Sequence, residues 1–170
     1  NGAVITIDAG KTFGTATVPA PSDDVYKDAG SVQATITGAT GGNFENLVPS
    51  TVPAVTEVTD TIDTSTVKLT ATDSVAEGGT VVYTATVGQP VTGSPVTVSL
   101  ANGQTITIEV GNTTGTVNFV APNDALVGQA ALNNSITGVT GGNYENLVAD
   151  NTPVTTTVTD TADTTNLSLS

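Results

Sequence analysis

An all-β fold assembled from tandem copies of one unit is what this sequence predicts, and three observations carry that expectation. First, Gly41-Gly42-Asn43-Phe44-Glu45-Asn46-Leu47 returns as Gly141-Gly142-Asn143-Tyr144-Glu145-Asn146-Leu147, 100 residues downstream. Val58-Thr59-Asp60-Thr61-Ile62-Asp63-Thr64 returns at the same distance as Val158-Thr159-Asp160-Thr161-Ala162-Asp163-Thr164. A fixed period of domain length points to one unit strung head to tail. Second, threonine makes up about a fifth of the 170 residues and, with Val and Ile, makes β-branched side chains dominant; these suit strands and are poor in helices. Third, apolar and polar residues alternate, and no stretch shows a convincing helical period. A unit of ~100 residues can bury its own core. With 37% hydrophobic but only 4% aromatic residues, that core is built from Val, Ile, Leu and Ala.

The second copy can be read strand by strand. Val67 and Leu69 start a short strand after the Asp63 linker. Val81, Tyr83, Ala85 and Val87 alternate in a second strand, entered through Glu77-Gly78-Gly79. Val96, Val98 and Leu100 form a third, followed by Asn102-Gly103, a strong hairpin signal because both residues tolerate positive φ. Ile106, Ile108 and Val110 make the fourth strand, and Val117 and Phe119 the fifth. Leu132 and Ile136 mark a sixth, and Val154, Thr156 and Val158 a seventh. About seven short antiparallel strands with this alternation describe an immunoglobulin-like β-sandwich.

The boundaries follow from the period. Asn1-Gly2 matches Asn102-Gly103, so residues 1–63 are expected to be the C-terminal part of one repeat, without the strands equivalent to 66–101. Residues 64–162 make a complete repeat. Residues 163–170, where Leu167 and Leu169 match Val67 and Leu69, make the first strand of another. A half sandwich leaves an open face and unpaired edges. The chain is therefore read as a window on a longer polypeptide, or as a half completed by neighbouring molecules.

Composition excludes several functions. The net charge of −13 comes from 16 acidic residues against Lys11, Lys27 and Lys68, with no arginine. Nucleic-acid phosphates and anionic membrane surfaces would be repelled. The sparse, one-signed charge suits divalent cations, and oxygen donors favour calcium. Without Cys or His there is no disulfide, no zinc site and no Ser-His or Cys-His nucleophile. A carboxylate pair is the one catalytic arrangement the inventory permits, and the acids lie in polar turns, so an enzyme is not expected. No apolar run approaches the ~20 residues of a membrane span. No signal peptide is recognisable, and the opening Asn1-Gly2 is read as an internal cut.

Three acidic clusters are candidate metal sites. The linker Asp60-Thr61-Ile62-Asp63, repeated as Asp160-Thr161-Ala162-Asp163, joins successive units. The loop containing Glu77 is expected at the same end of the sandwich as the incoming linker. Asp60, Asp63 and Glu77 would then converge with backbone carbonyls on one calcium; the alternative is a solvated acidic linker. The second cluster, Asp23, Asp24 and Asp28, is expected to share a cation with the Gly41–Glu45 turn or to be an acidic connection without ligand. Its counterpart, Asn123 to Gly128, has one residue fewer and one acid, and no site is expected there. In the third cluster, the Gly-Gly-Asn turn itself, the glycines are expected at positive φ and Phe44 and Tyr144 as plugs of the sandwich end. Only Asn43 and Glu45 are ligand candidates in that turn.

The phrases Thr80-Val81-Val82-Tyr83-Thr84-Ala85-Thr86-Val87, Asn102-Gly103-Gln104-Thr105-Ile106-Thr107-Ile108, Asp23-Asp24-Val25-Tyr26-Lys27-Asp28 and Val58–Thr64 closely resemble extender repeats of Lap-type giant adhesins, bacterial RTX adhesins exported by type I secretion. The resemblance covers essentially the whole chain. It implies calcium-rigidified immunoglobulin-like repeats that project a terminal binding region from the outer membrane for biofilm formation. Asp60, Asp63 and Glu77 match where such repeats would hold junction calcium, while the degenerate 123–128 stretch departs from the acidic pattern. The expected function is thus a non-catalytic extender at the cell surface, monomeric in solution, with adjacent repeats and calcium as partners. A carbohydrate- or surface-binding module and a filament subunit are the rival expectations.

Overall fold

The computed structural model describes residues 2–169 and is all-β, with no helix among them. Asn1 and Ser170, to which the expected repeat boundaries extend, lie outside the described residues. The chain divides into two compact units: one runs through Asp24 and resumes at Asp28–Thr61, and the other takes Val25–Lys27 and the chain from Ile62 onward.

The first unit carries β1 (Gly30–Ala34) and β2 (Ala54–Val58), an antiparallel pair with Gly30 opposite Val58 and Ala34 opposite Ala54. Its larger apolar side chains, Val4, Ile5, Ile7, Phe13, Ile36 and Phe44, stay exposed.

The second unit carries β3 (Thr64–Ala71), β4 (Ser74–Ala76), β5 (Thr80–Thr86), β6 (Val96–Leu100) and β7 (Thr105–Ile108). After them come β8 (Thr114–Val120), β9 (Leu132–Asn134), β10 (Ile136–Gly141), β11 (Asn146–Ala149) and β12 (Val154–Thr159). They form sheets of order β11-β3-β5-β8, β10-β6-β7 and β4-β12-β9. Period two sends every second residue inward: Val67, Val81, Tyr83 and Ala85 from the four-stranded sheet meet Val96, Val98, Ile106, Ile108 and Ile136 in one core. Each aliphatic side chain buried there contributes about 1.5–3 kcal/mol. β11 pairs with β3, and β12 with β4, in parallel register.

Several expectations are corrected. Leu132 and Ile136 do not share one strand: β9 pairs with β12 and β10 with β6, so the chain crosses between sheets at Ser135. Val110 is exposed because the strand ends at Ile108 and the chain turns at Gly111. The Asn102-Gly103 hairpin forms, yet only Gly103 takes positive φ, at 82°. Gly103 N–H donates to the Leu100 carbonyl at 3.0 Å, so a turn over Leu100–Gly103 precedes a left-handed glycine. Leu167 and Leu169 are exposed and belong to no strand. Among the described residues no strand pairs with them, and an isolated strand leaves its ladder groups to water.

Backbone hydrogen bonds define the two ends of the second unit. At the incoming end, Val91 N–H donates to Asn112, Gly111 to Val91, and Gly142 to Ser94. At the outgoing end, Glu77 N–H donates to Thr159, Gly78 to Ala121, and Ala101 to Ser135.

Candidate carboxylate site

Glu77 follows β4, which brings it beside the end of β12. Its side chain is buried, at 6% exposure. Oε2 accepts from the backbone N–H of Thr161 at 2.7 Å and from the Thr161 hydroxyl at 3.1 Å. Oε1 accepts from the Asp124 N–H and from Gln129 Nε2, each at 3.2 Å. A carboxylate offers about four lone-pair positions, and four donors address them. The Thr161 N–H is the largest influence holding the Glu77 carboxyl down at about 2, against the opposing pull of burial; Asp124 N–H and the Thr161 and Asp160 side chains add to it. Glu77 thus latches the loop after β4 and the loop after β8 to the outgoing linker.

Asp160 closes the same end by accepting from Gly128 N–H at 3.1 Å. The first unit repeats this bond: Asp28 N–H donates to Asp60 Oδ2 at 3.2 Å. Asp28 and Gly128 stand 100 residues apart, as do Asp60 and Asp160. Around Asp60 the acids crowd. The Thr61 hydroxyl donates to Asp23, and carboxylate oxygens of Asp23 and Asp60 lie within 4.8 Å of each other. Desolvation, followed by the charges of Asp24, Asp60 and Asp23, raises the Asp28 pKa. Every donor in this group is an oxygen, the chemistry a hard divalent cation takes.

Two expected convergences do not occur. Asp63 and Glu77 lie at opposite ends of the second unit, because Thr64–Ala76, almost all of it extended in β3 and β4, separates them. Asp63 N–H donates instead to Glu145 at the incoming end. Glu77 therefore serves the outgoing linker, with Asp160 rather than Asp63. In the first unit, Asn43 and Glu45 are exposed, and the neighbours of Asp23, Asp24 and Asp28 include Asp60 at the end of β2. A strand-length segment, β1, again separates the turn from the loop. Asp163 is exposed beyond the latch.

The Gly-Gly turns behave as their φ requirement demands, with Gly41 at 93°, Gly42 at 72°, Gly141 at 90° and Gly142 at 70°. Tyr144 is the plug the spacing predicts: it is buried and its hydroxyl donates to the Gln89 carbonyl at 2.7 Å. Phe44, by contrast, is exposed. The second unit also takes Val25–Lys27 against its Asn143–Glu145 turn. Lys27 N–H donates to Asn143, Glu145 N–H donates to Val25, and the Tyr26 and Tyr144 rings lie 5.5 Å apart. Sequence reasoning missed Thr161, Asp124 and Gln129 as partners of the site. The recurrence of Thr61 and Thr161 inside the repeated linker was the available signal for the first.

A family model, the LapA domain, matches residues 1–61 and 63–161. No curated protein matches the chain significantly. With matches spanning nearly its whole length, the chain belongs to the LapA domain family, which relates it to the large adhesin of biofilm formation.

Proposed function

We propose that the chain is a non-catalytic extender: tandem immunoglobulin-like sandwiches, stiffened by calcium, that space out a large bacterial adhesin at the cell surface. The adhesin is of the RTX type, exported by type I secretion and tethered at the outer membrane, and the chain works as a monomer whose partners are adjacent repeats. The observation that carries this reading is the repeated closure of the outgoing end, Asp28 to Asp60 and Gly128 to Asp160. A spacer must hold the exit direction of the chain in every copy, and this bond ties the exit to a loop of the unit it leaves. Calcium would be held in the first unit by Asp23, Asp24, Asp28 and Asp60, whose mutual repulsion a cation relieves. In the second unit Asp124 and Asp160 are the available carboxylates, and Glu77, already surrounded by donors, holds the loops. The open apolar cleft of the first unit is lined by Ala16, Val18, Val32, Ala34, Thr56 and Val58 among others, with no ionisable group. That lining suits packing rather than chemistry.

Calorimetry with calcium, paired with melting in chelator and in millimolar calcium, tests the reading. Binding to the folded state stabilises by about 2.7 kcal/mol at a hundredfold excess over Kd. Unchanged melting would remove calcium from the account, and small-angle scattering that shows no gain in stiffness would remove the spacer mechanism.

A further inference from the structure

A chain without Cys, Met, Trp or His has no thiol, thioether, indole or imidazole to absorb an oxidising equivalent. Tyr26, Tyr83 and Tyr144 are left as its most easily oxidised side chains. Two of them touch. The Tyr26 and Tyr144 rings lie 5.5 Å apart with 32° between their planes, within the range of a direct aromatic contact. Tyr83 is sealed in the core at 2% exposure.

The backbone sets the two rings side by side. Tyr26 and Tyr144 face each other across an antiparallel bridge. Lys27 N–H donates to the Asn143 carbonyl at 3.1 Å and Glu145 N–H to the Val25 carbonyl at 3.0 Å. Those bonds flank the bridge rather than cross it, which is the type of pair whose side chains stand closest. Asn143 Nδ2 adds a bond to the Lys27 carbonyl at 3.2 Å. The hydroxyls end together: Tyr26 donates to the Pro90 carbonyl at 2.6 Å and Tyr144 to the Gln89 carbonyl at 2.7 Å. Acceptors on successive residues bring the two C–O bonds into register, and with them the ring carbons ortho to oxygen, where a phenoxyl radical carries much of its spin. Tyr26 is half-buried and keeps an edge open to solvent, whereas Tyr144 is buried. An oxidant thus reaches Tyr26 first, and Tyr144 lies one ring contact behind it.

We propose that Tyr26 and Tyr144 are a modification site, coupled into a dityrosine cross-link by a one-electron oxidant of the haem peroxidase class acting with hydrogen peroxide. Each phenol gives up one electron and its hydroxyl proton. The two radicals join through one ortho carbon of each ring. The hydrogen on each joined carbon then moves to its oxygen, which restores both phenols. The two electrons and two protons released reduce one hydrogen peroxide to two waters. The new carbon–carbon bond fixes Val25–Lys27 to the Asn143–Glu145 turn, and neither acid nor a chelator reverses it. It also closes a long loop of chain, which removes conformations from the unfolded state.

The test treats the dilute full chain with haem peroxidase and hydrogen peroxide, with free tyrosine alongside to show that the oxidant is active. The monomer should lose the mass of two hydrogens, gain dityrosine fluorescence and yield a peptide pair joining Tyr26 to Tyr144. Proximity drives the coupling, so Tyr26→Phe should lower the monomer's fluorescence by about tenfold or more. Phe keeps the ring in place and removes only the hydroxyl. Tyr83→Phe should leave the yield unchanged, and the coupled chain should melt at a higher temperature than the untreated one. A monomer of unchanged mass overturns the proposal, as do cross-links found only between chains. Equal yield from Tyr26→Phe overturns it too.

Discussion

Phe44 is 69% exposed and Tyr144 is 3% exposed, although both follow Gly-Gly-Asn and precede Glu-Asn-Leu. The two copies separate what a stretch of chain forms by itself from what it forms only with partners. Local turns survive in both: Lys11 N–H donates to Asp8 at 2.9 Å, and Asn112 N–H donates to Glu109 at 3.0 Å. Gly14 and Gly115 alike approach a carbonyl, Thr6 and Thr107, so closely that a Cβ would stand 2.2 Å from it. Strands that need residues 64–101 exist only in the second copy. Burial, not pattern, makes the difference.

The sharpest way to break this comparison is a matched pair of core truncations. Ile106→Ala should destabilise the second unit by about 2–5 kcal/mol, and Ile5→Ala should stay within about 0.5 kcal/mol. Urea unfolding read in the two variants checks this; equal costs would mean that Ile5 is buried in solution.

Acid should act through Glu77. Its folded pKa of about 2 lies below the ordinary 4.5. Its contribution is therefore complete above pH 4.5 and is lost as pH falls toward 2. Glu77→Gln should lower the melting temperature of the second unit at pH 7 and flatten the acid limb between those values. An acid limb identical to that of the unchanged chain would deny Glu77 the latch.

A smaller effect is expected at the plug. Tyr144→Phe removes the bond to Gln89 and should cost roughly 0.5–1.5 kcal/mol, while Phe44→Tyr should be neutral because Phe44 is exposed. Denaturant midpoints of both variants decide it.

The smallest effect concerns Asp28. A raised carboxylate pKa means stability is lost as pH rises through it, so Asp28→Asn should slightly slow hydrogen exchange along β1 and β2 at neutral pH in chelator. In calcium the sign should reverse, because a ligand has been removed. A variant that exchanges more slowly under both conditions would separate Asp28 from the metal.

The strand residues of the second copy were legible because burial on one face imposes period two on Val67, Val81, Val96 and Ile106. The strand pairings that use both sheets were not: β9 and β10 look like one run from Leu132 to Ile136, and only competition between two sheets splits them at Ser135. Among site residues, the acids of the repeated linker stood out by recurrence. Their partners did not, because Glu77 lies 84 residues from Thr161 in sequence and meets it through backbone donors that no residue type advertises.

What the sequence by itself determined is therefore the period, read from the recurrence 100 residues apart, together with the all-β class, the positive-φ glycines and the short turns, which are set by side-chain sterics within a few residues. Tertiary structure alone decided which end of the unit each carboxylate serves. An extended run the length of β3 and β4 carries the chain from one end to the other, so Glu77 is nearer in sequence to Asp63 yet bonded beside Asp160. It also decided that Leu132–Asn134 and Ile136–Gly141 pair in different sheets, since each half of that run is held by a different partner strand.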